Sequence, residues 1–181
     1  MRATGVVRRI DDLGRIVIPK EIRRSFRIKE GTPLEIFSGD NGELMLKKYS
    51  PMLSLKDYAI ETCESINAVL DKLVLFTDCE KIIGASGNGK KEFLEQYISV
   101  ELEKILETRK STLLNKKDNN LIKFIINSSF ETNFLSAIIM PISADGFAFG
   151  SIIILSQNED LGILEQKVAK TMALFITKQI G

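Results

Sequence analysis

The 181-residue sequence predicts two domains in tandem, a small β-rich domain followed by a larger α+β domain with an antiparallel sheet. The charge changes sign near residue 50, because residues 1–50 carry 11 Lys/Arg against 7 Asp/Glu and residues 51–181 carry 14 against 17. Short apolar runs typical of strands precede Pro51, whereas apolar residues beyond it recur at helical spacing. We therefore expect domains over residues 1–53 and 54–181.

The first domain is expected to contain short strands, one helix and a hairpin. Strand-like runs at 5–10 and 15–18 flank a turn at 11–14, and Pro19 begins a helix that extends to about Phe26. The hairpin pairs residues 33–38 with 44–49 across Gly39-Asp40-Asn41-Gly42, where Asn-Gly tolerates positive φ. A domain of this size buries too little apolar surface to fold alone without a metal or disulfides. A second chain is the expected source of the missing core.

The second domain is predicted to begin and end with helices, at about 55–71 and 159–179. Their apolar seams are Met52, Leu55, Ala59, Thr62, Ile66, Val69 and Leu73 in the first helix, and Leu161, Leu164, Val168, Met172 and Phe175 in the last. Between them lie strand-length runs at 73–77, 81–85, 121–126, 137–143 and 149–156, an amphipathic helix at about 91–108, and a turn at Ala144-Asp145-Gly146. This order predicts an α+β fold with an antiparallel sheet. In a dimer, the two terminal helices are expected to form a four-helix bundle.

Composition argues against several functional classes. The sequence has no His, which removes imidazole as a general base, nucleophile partner or metal ligand. Cys63 and Cys79 are too few for a disulfide framework and are expected to be small buried apolar residues of a reducing cytosol. The N-terminal residues lack an apolar signal segment, and the apolar run at 147–155 is too short to span a bilayer. We expect a cytoplasmic protein without a catalytic or metal site.

A glycine-rich segment, Gly84 to Lys91 (GASGNGKK), departs by one residue from the phosphate-binding pattern G-x-x-x-x-G-K-[ST]. Lys91 stands where that pattern has the hydroxyl that binds Mg²⁺. The surrounding order of elements is also not the parallel βαβ unit that such a loop opens. A nucleotide-binding enzyme is therefore a minor alternative, since a strand-to-helix turn needs no ligand.

Arginines are concentrated in the first domain, at Arg8, Arg9, Arg15, Arg23, Arg24 and Arg27. A solvated charged surface is the simplest interpretation of such residues. Against it, the acids Asp11, Asp12 and Glu21 are too few to pair with all of them, and lysine would serve equally for solubility. Arginine suits phosphate oxygens and guanine edges, so a duplex nucleic acid is the favoured partner. RNA and acidic proteins are the alternatives. No membrane partner is expected, because the one basic helix has only Ile22 and Phe26 as its apolar face and the core needs both.

Residues 1–53, which contain the run GRIVIPKEIR, closely resemble the N-terminal DNA-binding domain of the AbrB family of transition-state regulators. The resemblance implies a swapped-hairpin fold in which two chains interleave their strands in one dimeric domain. It implies that Arg8, Arg15, Arg23 and Arg24 contact DNA, with Arg9 standing where relatives carry a basic residue. It also implies flexible, AT-rich duplex DNA recognised largely through phosphate contacts and shape.

The rest of the chain, with ISADGFAFGSIIILSQ before the last helix, looks like a GAF-type sensor module. Many GAF domains bind cyclic nucleotides or other small molecules, so the resemblance leaves an effector open, although nothing within residues 73–156 identifies one. The pairing of domains implies a nucleoid-associated dimer of dimers that activates some forespore genes and represses others during late sporulation and spore coat and cortex development. An antitoxin is the alternative, because toxin-neutralising proteins share the N-terminal fold, although those proteins end in short disordered tails.

Overall fold

The computed structural model describes residues 5–49, 56–126, 134–144 and 146–180. The chain divides into two compact units, Met1–Tyr49 and Ser50–Gly181. The first unit contains helix α1 (Lys20–Ser25) and strands β1 (Leu34–Ser38) and β2 (Leu44–Lys48). The second contains, in chain order, α2 (Lys56–Leu70), β3 (Leu73–Thr77), β4 (Ile82–Ser86), α3 (Val100–Thr108), β5 (Thr112–Asn115), β6 (Ser136–Ala144), β7 (Phe147–Ser156) and α4 (Ile163–Ile180).

Helix α1 begins and ends where its sequence predicts. Pro19 occupies the N-cap position, where its missing N–H leaves no bond unmade, and its carbonyl accepts from the N–H of Arg23 at 2.9 Å. At the other end Arg27 adopts a left-handed φ of 51°, and the N–H of Ile28 donates to the carbonyl of Arg23 at 2.7 Å. This closing bond ends the helix after two turns.

The predicted hairpin is confirmed, and the two strands predicted before it are not formed within the chain. Strand β1 pairs antiparallel with β2 from Leu34↔Lys48 to Ser38↔Leu44, and Gly42 takes a φ of 75° in the turn. The runs 5–10 and 15–18 have no strand assignment. A strand requires a ladder partner, and these segments find none among the described residues of their own chain.

The described residues of the first unit, 5–49, form no buried core of their own. None of residues 5–49 is buried. Its large apolar side chains are exposed instead, among them Val7 at 86%, Val17 at 71% and Ile10 at 62%. Exposure on this scale in a small folded unit is typical of a surface that another chain covers.

The second unit is built on a five-stranded antiparallel sheet with strand order β4-β3-β7-β6-β5, which confirms the predicted class. β6 and β7 form its central hairpin, with Gly146 at a φ of 82° in the connection. Asp145, the middle residue of the predicted turn, lies outside the described residues.

Helices cover both faces of this sheet. On one face α2 and α4 pack against side chains such as Phe76, Ile138 and Ile154. On the other, α3 packs with Phe93, Phe124 and Phe134 against the opposite side of the same strands. These phenylalanine rings are 6.2 to 6.3 Å apart between neighbouring centroids, a spacing at which aromatic pairs attract.

Two predicted elements of the second unit were wrong, and one strand was missed. The helix predicted at 91–108 begins only at Val100, because Ser99 accepts from the N–H of Leu102 and so caps its start, while a three-residue 3₁₀ turn precedes it at Lys90–Glu92. The run 121–126 is not a strand, since only an isolated bridge joins Ile125 to Ile98. The short edge strand β5 was missed, because only Leu114 of its four residues is buried.

The apolar seams of the terminal helices serve partly for packing within the chain. Met52 and Leu55 lie outside the described residues, and Ala59, Thr62 and Ile66 are buried on the sheet as expected. Val69, by contrast, is 74% exposed. In α4 the buried residues are Ala169, Ala173 and Ile176, whereas Leu164 and Phe175 of the predicted seam are exposed. Ala169 and Ala173 face the sheet, where their small side chains allow α4 to approach the strands closely.

The turn between β3 and β4 holds one buried carboxyl and one exposed thiol. Asp78 accepts backbone hydrogen bonds from Glu80 and Lys81, both at 2.6 Å, and burial raises the pKa of its carboxyl despite these two donors. Cys63 is buried as predicted, but the prediction for Cys79 was wrong. Its position in this turn exposes it, with Sγ 3.1 Å from the carbonyl oxygen of Ala148.

Asp78→Asn is expected to raise the stability of the chain at neutral pH. The amide oxygen can accept the same two hydrogen bonds without placing a charge in a buried site. In the wild type the folded state holds the Asp78 proton more tightly than the unfolded chain does. Stability therefore falls as pH rises from the ordinary pKa near 3.8 through the raised folded value, and the variant lacks this decline.

Thermal melts at about pH 4 and about pH 7 check this expectation. The gain in Tm of Asp78→Asn over the wild type should be larger at the higher pH. Asp78→Ala, which loses both hydrogen bonds, should melt lower than the wild type at both. A neutral-pH Tm of Asp78→Asn below that of the wild type would contradict the account.

Candidate nucleic-acid interface

A tight turn joins the first predicted DNA-contacting arginines, Arg8 and Arg9, to the next one, Arg15. The N–H of Gly14 donates to the carbonyl of Asp11, and the N–H of Asp11 donates to the carbonyl of Arg15, both at 3.0 Å. Gly14 has a φ of 75°, which glycine adopts without strain. The chain reverses here as the sequence predicts, and the reversal brings Arg15 beside Asp11.

Arg15 and Asp11 form an ion pair in which Nε lies 2.8 Å from Oδ2. The other carboxylate oxygen, Oδ1, accepts the backbone N–H of Arg15 at 2.8 Å and that of Leu13 at 3.1 Å. The backbone N–H of Arg15, followed by its side chain, lowers the pKa of Asp11, so the carboxylate is ionised at neutral pH. The Arg15 side chain is still 68% exposed.

Sequence reasoning missed this role of Asp11, because it treated the carboxylate only as one of too few charges to pair with the arginines. The available signal was the spacing, since an Asp four residues before an Arg across a Gly turn can reach both its backbone and its side chain.

Arg23 and Arg24 lie in the last turn of α1. Nε of Arg23 donates to the carbonyl oxygen of Ile18 at 3.2 Å, which fixes the side chain against the strand-like segment that follows Arg15. Arg24 is exposed. Six residues give a helix of about 9 Å, too short to act as a recognition helix along the major groove. The arginines of α1 are therefore suited to phosphate contacts or single base edges.

Arg8 and Arg9 are exposed on the segment that precedes the turn. Within residues 5–49, 56–126, 134–144 and 146–180, no hydrogen bond or ion pair involves the side chains of Arg8, Arg9 or Arg24. The described structure thus places all five predicted residues in the first unit, two anchored through Nε and three with unengaged guanidinium groups.

The glycine-rich segment of the second unit has a packing role. A Cβ on Gly84, in β4, would lie 2.8 Å from the backbone carbonyl of Ala59 in α2, so glycine lets this helix rest directly on the strand. A Cβ on Gly87, whose φ is 107°, would lie 2.8 Å from the carbonyl oxygen of Lys72. Only the 3₁₀ turn Lys90–Glu92 follows, and β4 pairs antiparallel with β3. The nucleotide-binding alternative gains no support from this geometry.

The described part of the chain contains neither a metal-binding cluster nor a membrane-spanning helix. No group of three or more Cys, Asp or Glu side chains there could hold a metal ion. No helix of these residues is long and apolar enough to cross a membrane.

Comparison with known proteins separates the chain into the same two parts. Residues 7–54 match the family model described as antidote-toxin recognition MazE, bacterial antitoxin. Residues 54–181 match the model described as stage V sporulation protein T C-terminal, transcription factor. In its fold, the chain is similar over 74% of its length to the GAF domain of the Acinetobacter phosphoenolpyruvate-protein phosphotransferase, with a TM-score of 0.58 at 8% identity over 84% of that chain.

Two curated relatives come from Bacillus subtilis (strain 168). The transition state regulatory protein AbrB is 38% identical over 61% of this chain and 98% of its own length. Stage V sporulation protein T is 42% identical over 180 residues, which are 99% of each chain. The AbrB-type hairpin domain and the GAF-like α+β domain predicted from the sequence are therefore confirmed, and the chain belongs to the stage V sporulation protein T family of transcription factors.

Proposed function

We propose that this transcription factor is a homo-oligomer that binds duplex DNA through Arg8, Arg9, Arg15, Arg23 and Arg24. In this proposal residues 1–53 of two chains form one intertwined DNA-binding domain, and residues 54–181 associate to give a dimer of dimers. It activates some forespore genes and represses others during late sporulation and spore coat and cortex development, acting at the nucleoid of the forespore.

The observation that carries the DNA assignment is the exposure of the arginines in a positively charged unit. They belong to a unit with an excess of positive charge, and Arg15 remains largely exposed even in its ion pair. Exposed guanidinium groups are suited to phosphate oxygens and to guanine edges. The family's DNA-binding N-terminal domain supports the same partner.

The pairing of chains is supported by the absence of buried residues between 5 and 49. An intertwined partner would cover Val7, Ile10 and Val17. It would also supply the backbone hydrogen bonds that residues 5–10 and 15–18 need to form strands. Pairing also doubles the number of arginines that face one DNA duplex.

Association of the second units is supported by exposed apolar side chains on their terminal helices. On α2 and α4 these are Tyr58, Val69, Ile163, Leu164, Leu174 and Phe175, each between 47% and 74% exposed. Packing α2 and α4 of two chains together would bury this surface in a four-helix bundle.

The assignment to sporulation is supported by the relative that matches nearly end to end, which is named for a stage of sporulation. The antitoxin alternative is supported only by the match over residues 7–54. The remaining residues form a sheet covered by helices on both faces, which differs from the short disordered tail of an antitoxin.

Arg15→Ala and Arg23→Ala are each expected to weaken binding to an AT-rich duplex by about tenfold or more, because each removes at least one charge-assisted hydrogen bond to the duplex. Fluorescence anisotropy titrations of the full chain measure the affinities. Lys91→Ala is the matched control, because it removes one positive charge from the second unit, and it should bind like the wild type. Unchanged affinity in both arginine variants would sink the assignment.

A further inference from the structure

The carboxylate of Asp11 is engaged through both of its oxygens. Oδ1 accepts the backbone N–H groups of Leu13 and Arg15, which holds the turn. Oδ2 accepts Nε of Arg15 at 2.8 Å. The same residue therefore holds both the backbone and the side chain of Arg15.

The ion pair with Asp11 determines which nitrogens of Arg15 remain open to DNA. A guanidinium group offers two pairs of donors to a phosphate or a guanine, one formed by Nε with a terminal nitrogen and one formed by Nη1 with Nη2. Asp11 occupies Nε, so only the Nη1/Nη2 pair stays open to an outside acceptor. The anchored side chain also loses fewer rotamers when it meets DNA, because it is already restrained.

We propose that Asp11 is a positioning residue for Arg15, holding its guanidinium group by Nε so that Nη1 and Nη2 are presented to DNA. This inference rests on the proposed DNA contact of Arg15. Arg23 is held in a comparable way, by the carbonyl oxygen of Ile18 on its Nε. For Arg23 the acceptor is backbone and cannot be substituted, whereas for Arg15 it is a side chain that can.

A positioning role for Asp11 and a purely electrostatic role predict opposite changes in DNA affinity when its charge is removed. A carboxylate near DNA repels phosphates, so removing its charge should strengthen binding if charge alone mattered. If Asp11 positions Arg15, removing its charge should weaken binding. Asp12 is the matched control, because it is the adjacent exposed carboxylate and forms no ion pair with any residue of the described chain.

The test uses the full-length chain with the substitutions Asp11→Asn, Asp12→Asn and Arg15→Ala, and the double substitution Asp11→Asn/Arg15→Ala. An Asn at position 11 keeps an oxygen for the two backbone donors, but its Nδ2 cannot accept from Nε of Arg15. Anisotropy titrations with an AT-rich duplex should show Asp11→Asn weakened by about threefold to tenfold. Asp12→Asn should bind as tightly as the wild type or more tightly. In the Arg15→Ala background, Asp11→Asn should cause no further loss.

Equal or tighter binding by Asp11→Asn than by the wild type overturns the inference while the Arg15 contact stands. An equal loss in the Arg15→Ala background also overturns it, since Asp11 would then act through the turn alone. If Arg15→Ala itself has no effect, the proposed DNA contact of Arg15 fails, and the two failures are thus distinguishable.

Arg15→Lys provides a second measurement if Asp11→Asn does not fold. It keeps Asp11, the turn and the charge, but a lysine has one nitrogen and cannot bind Asp11 while offering a fork to DNA. We expect it to bind about threefold to tenfold more weakly than the wild type. Affinity equal to that of the wild type would overturn the inference.

Discussion

Residues 1–53 expressed alone should be dimeric and should unfold when the dimer dissociates. A single chain buries none of residues 5–49, and side chains as apolar as Val17 and Ile36 are 71% and 67% exposed. A unit this small has, among its described residues, no metal site or disulfide to replace the missing core. Folding should therefore be inseparable from association of two chains.

Sedimentation equilibrium should give the mass of two chains at micromolar concentration. Circular dichroism should show a Tm that rises with protein concentration, because association stabilises only the folded state. A folded monomer with a concentration-independent Tm would contradict the interleaved domain, and with it the explanation for the exposed apolar residues.

Gly150→Ala should strongly destabilise the second unit. Gly150 lies in β7 beside β3, and a Cβ there would lie 1.9 Å from the carbonyl oxygen of Thr77 and 2.9 Å from its carbonyl carbon. Both atoms belong to the backbone of a central strand, so they cannot rotate away as a side chain can. Overpacking of this kind costs about 3 kcal/mol or more, a large part of the stability of a typical domain.

Gly162→Ala is the matched control for this effect. A Cβ there would lie no closer than 3.7 Å to Oε2 of Glu165, which is an ordinary contact. Thermal unfolding of the full chain should show a strongly lowered Tm for the second unit in Gly150→Ala and a loss of about 1 kcal/mol or less in the control, where Gly162 immediately precedes α4. Equal melting of the two variants would show that the strands separate easily at this point.

Local sequence rules predicted those elements whose partners are near in the chain. Asn41-Gly42 fixed the hairpin between β1 and β2, and Pro19 fixed the start of α1, because each acts through its own backbone. The runs 5–10 and 15–18 have strand-like composition but no strand pairing within the described chain. Composition reveals a tendency to pair, whereas the partner strand depends on the assembly.

Errors in the second unit have similar physical causes. Periodicity alone extended the helix that ends at Thr108 back to residue 91, because Leu94 and the buried Ile98 continue the four-residue spacing of Leu102 and Leu106 although both precede the helix. Ser99 marks the true start through its capping hydrogen bond. The run 121–126 is apolar because it packs against α3 and the sheet face, not because it joins the ladder.

The candidate site was predictable in part. The charge balance indicated a polyanion partner, and the resemblance of residues 1–53 to the AbrB family supplied the five arginines. Charge balance could not show that Asp11 binds Arg15 through Nε, since it treats an acid only as an opposing charge. The interaction depends on the turn geometry that brings residues 11 and 15 together.

The salt dependence of DNA binding tests the central claim most directly, because each bound phosphate releases condensed counterions. For the wild-type chain, log K should fall linearly with log salt, and each arginine–phosphate interaction removed should reduce that slope by about 0.9. Arg15→Ala or Arg23→Ala removes one interaction from each chain, so a dimer bound to one duplex should lose about 1.8. The account predicts a shallower slope in both variants and an unchanged slope in Lys91→Ala. Slopes identical to that of the wild type in all three variants would contradict an arginine surface that binds the DNA backbone.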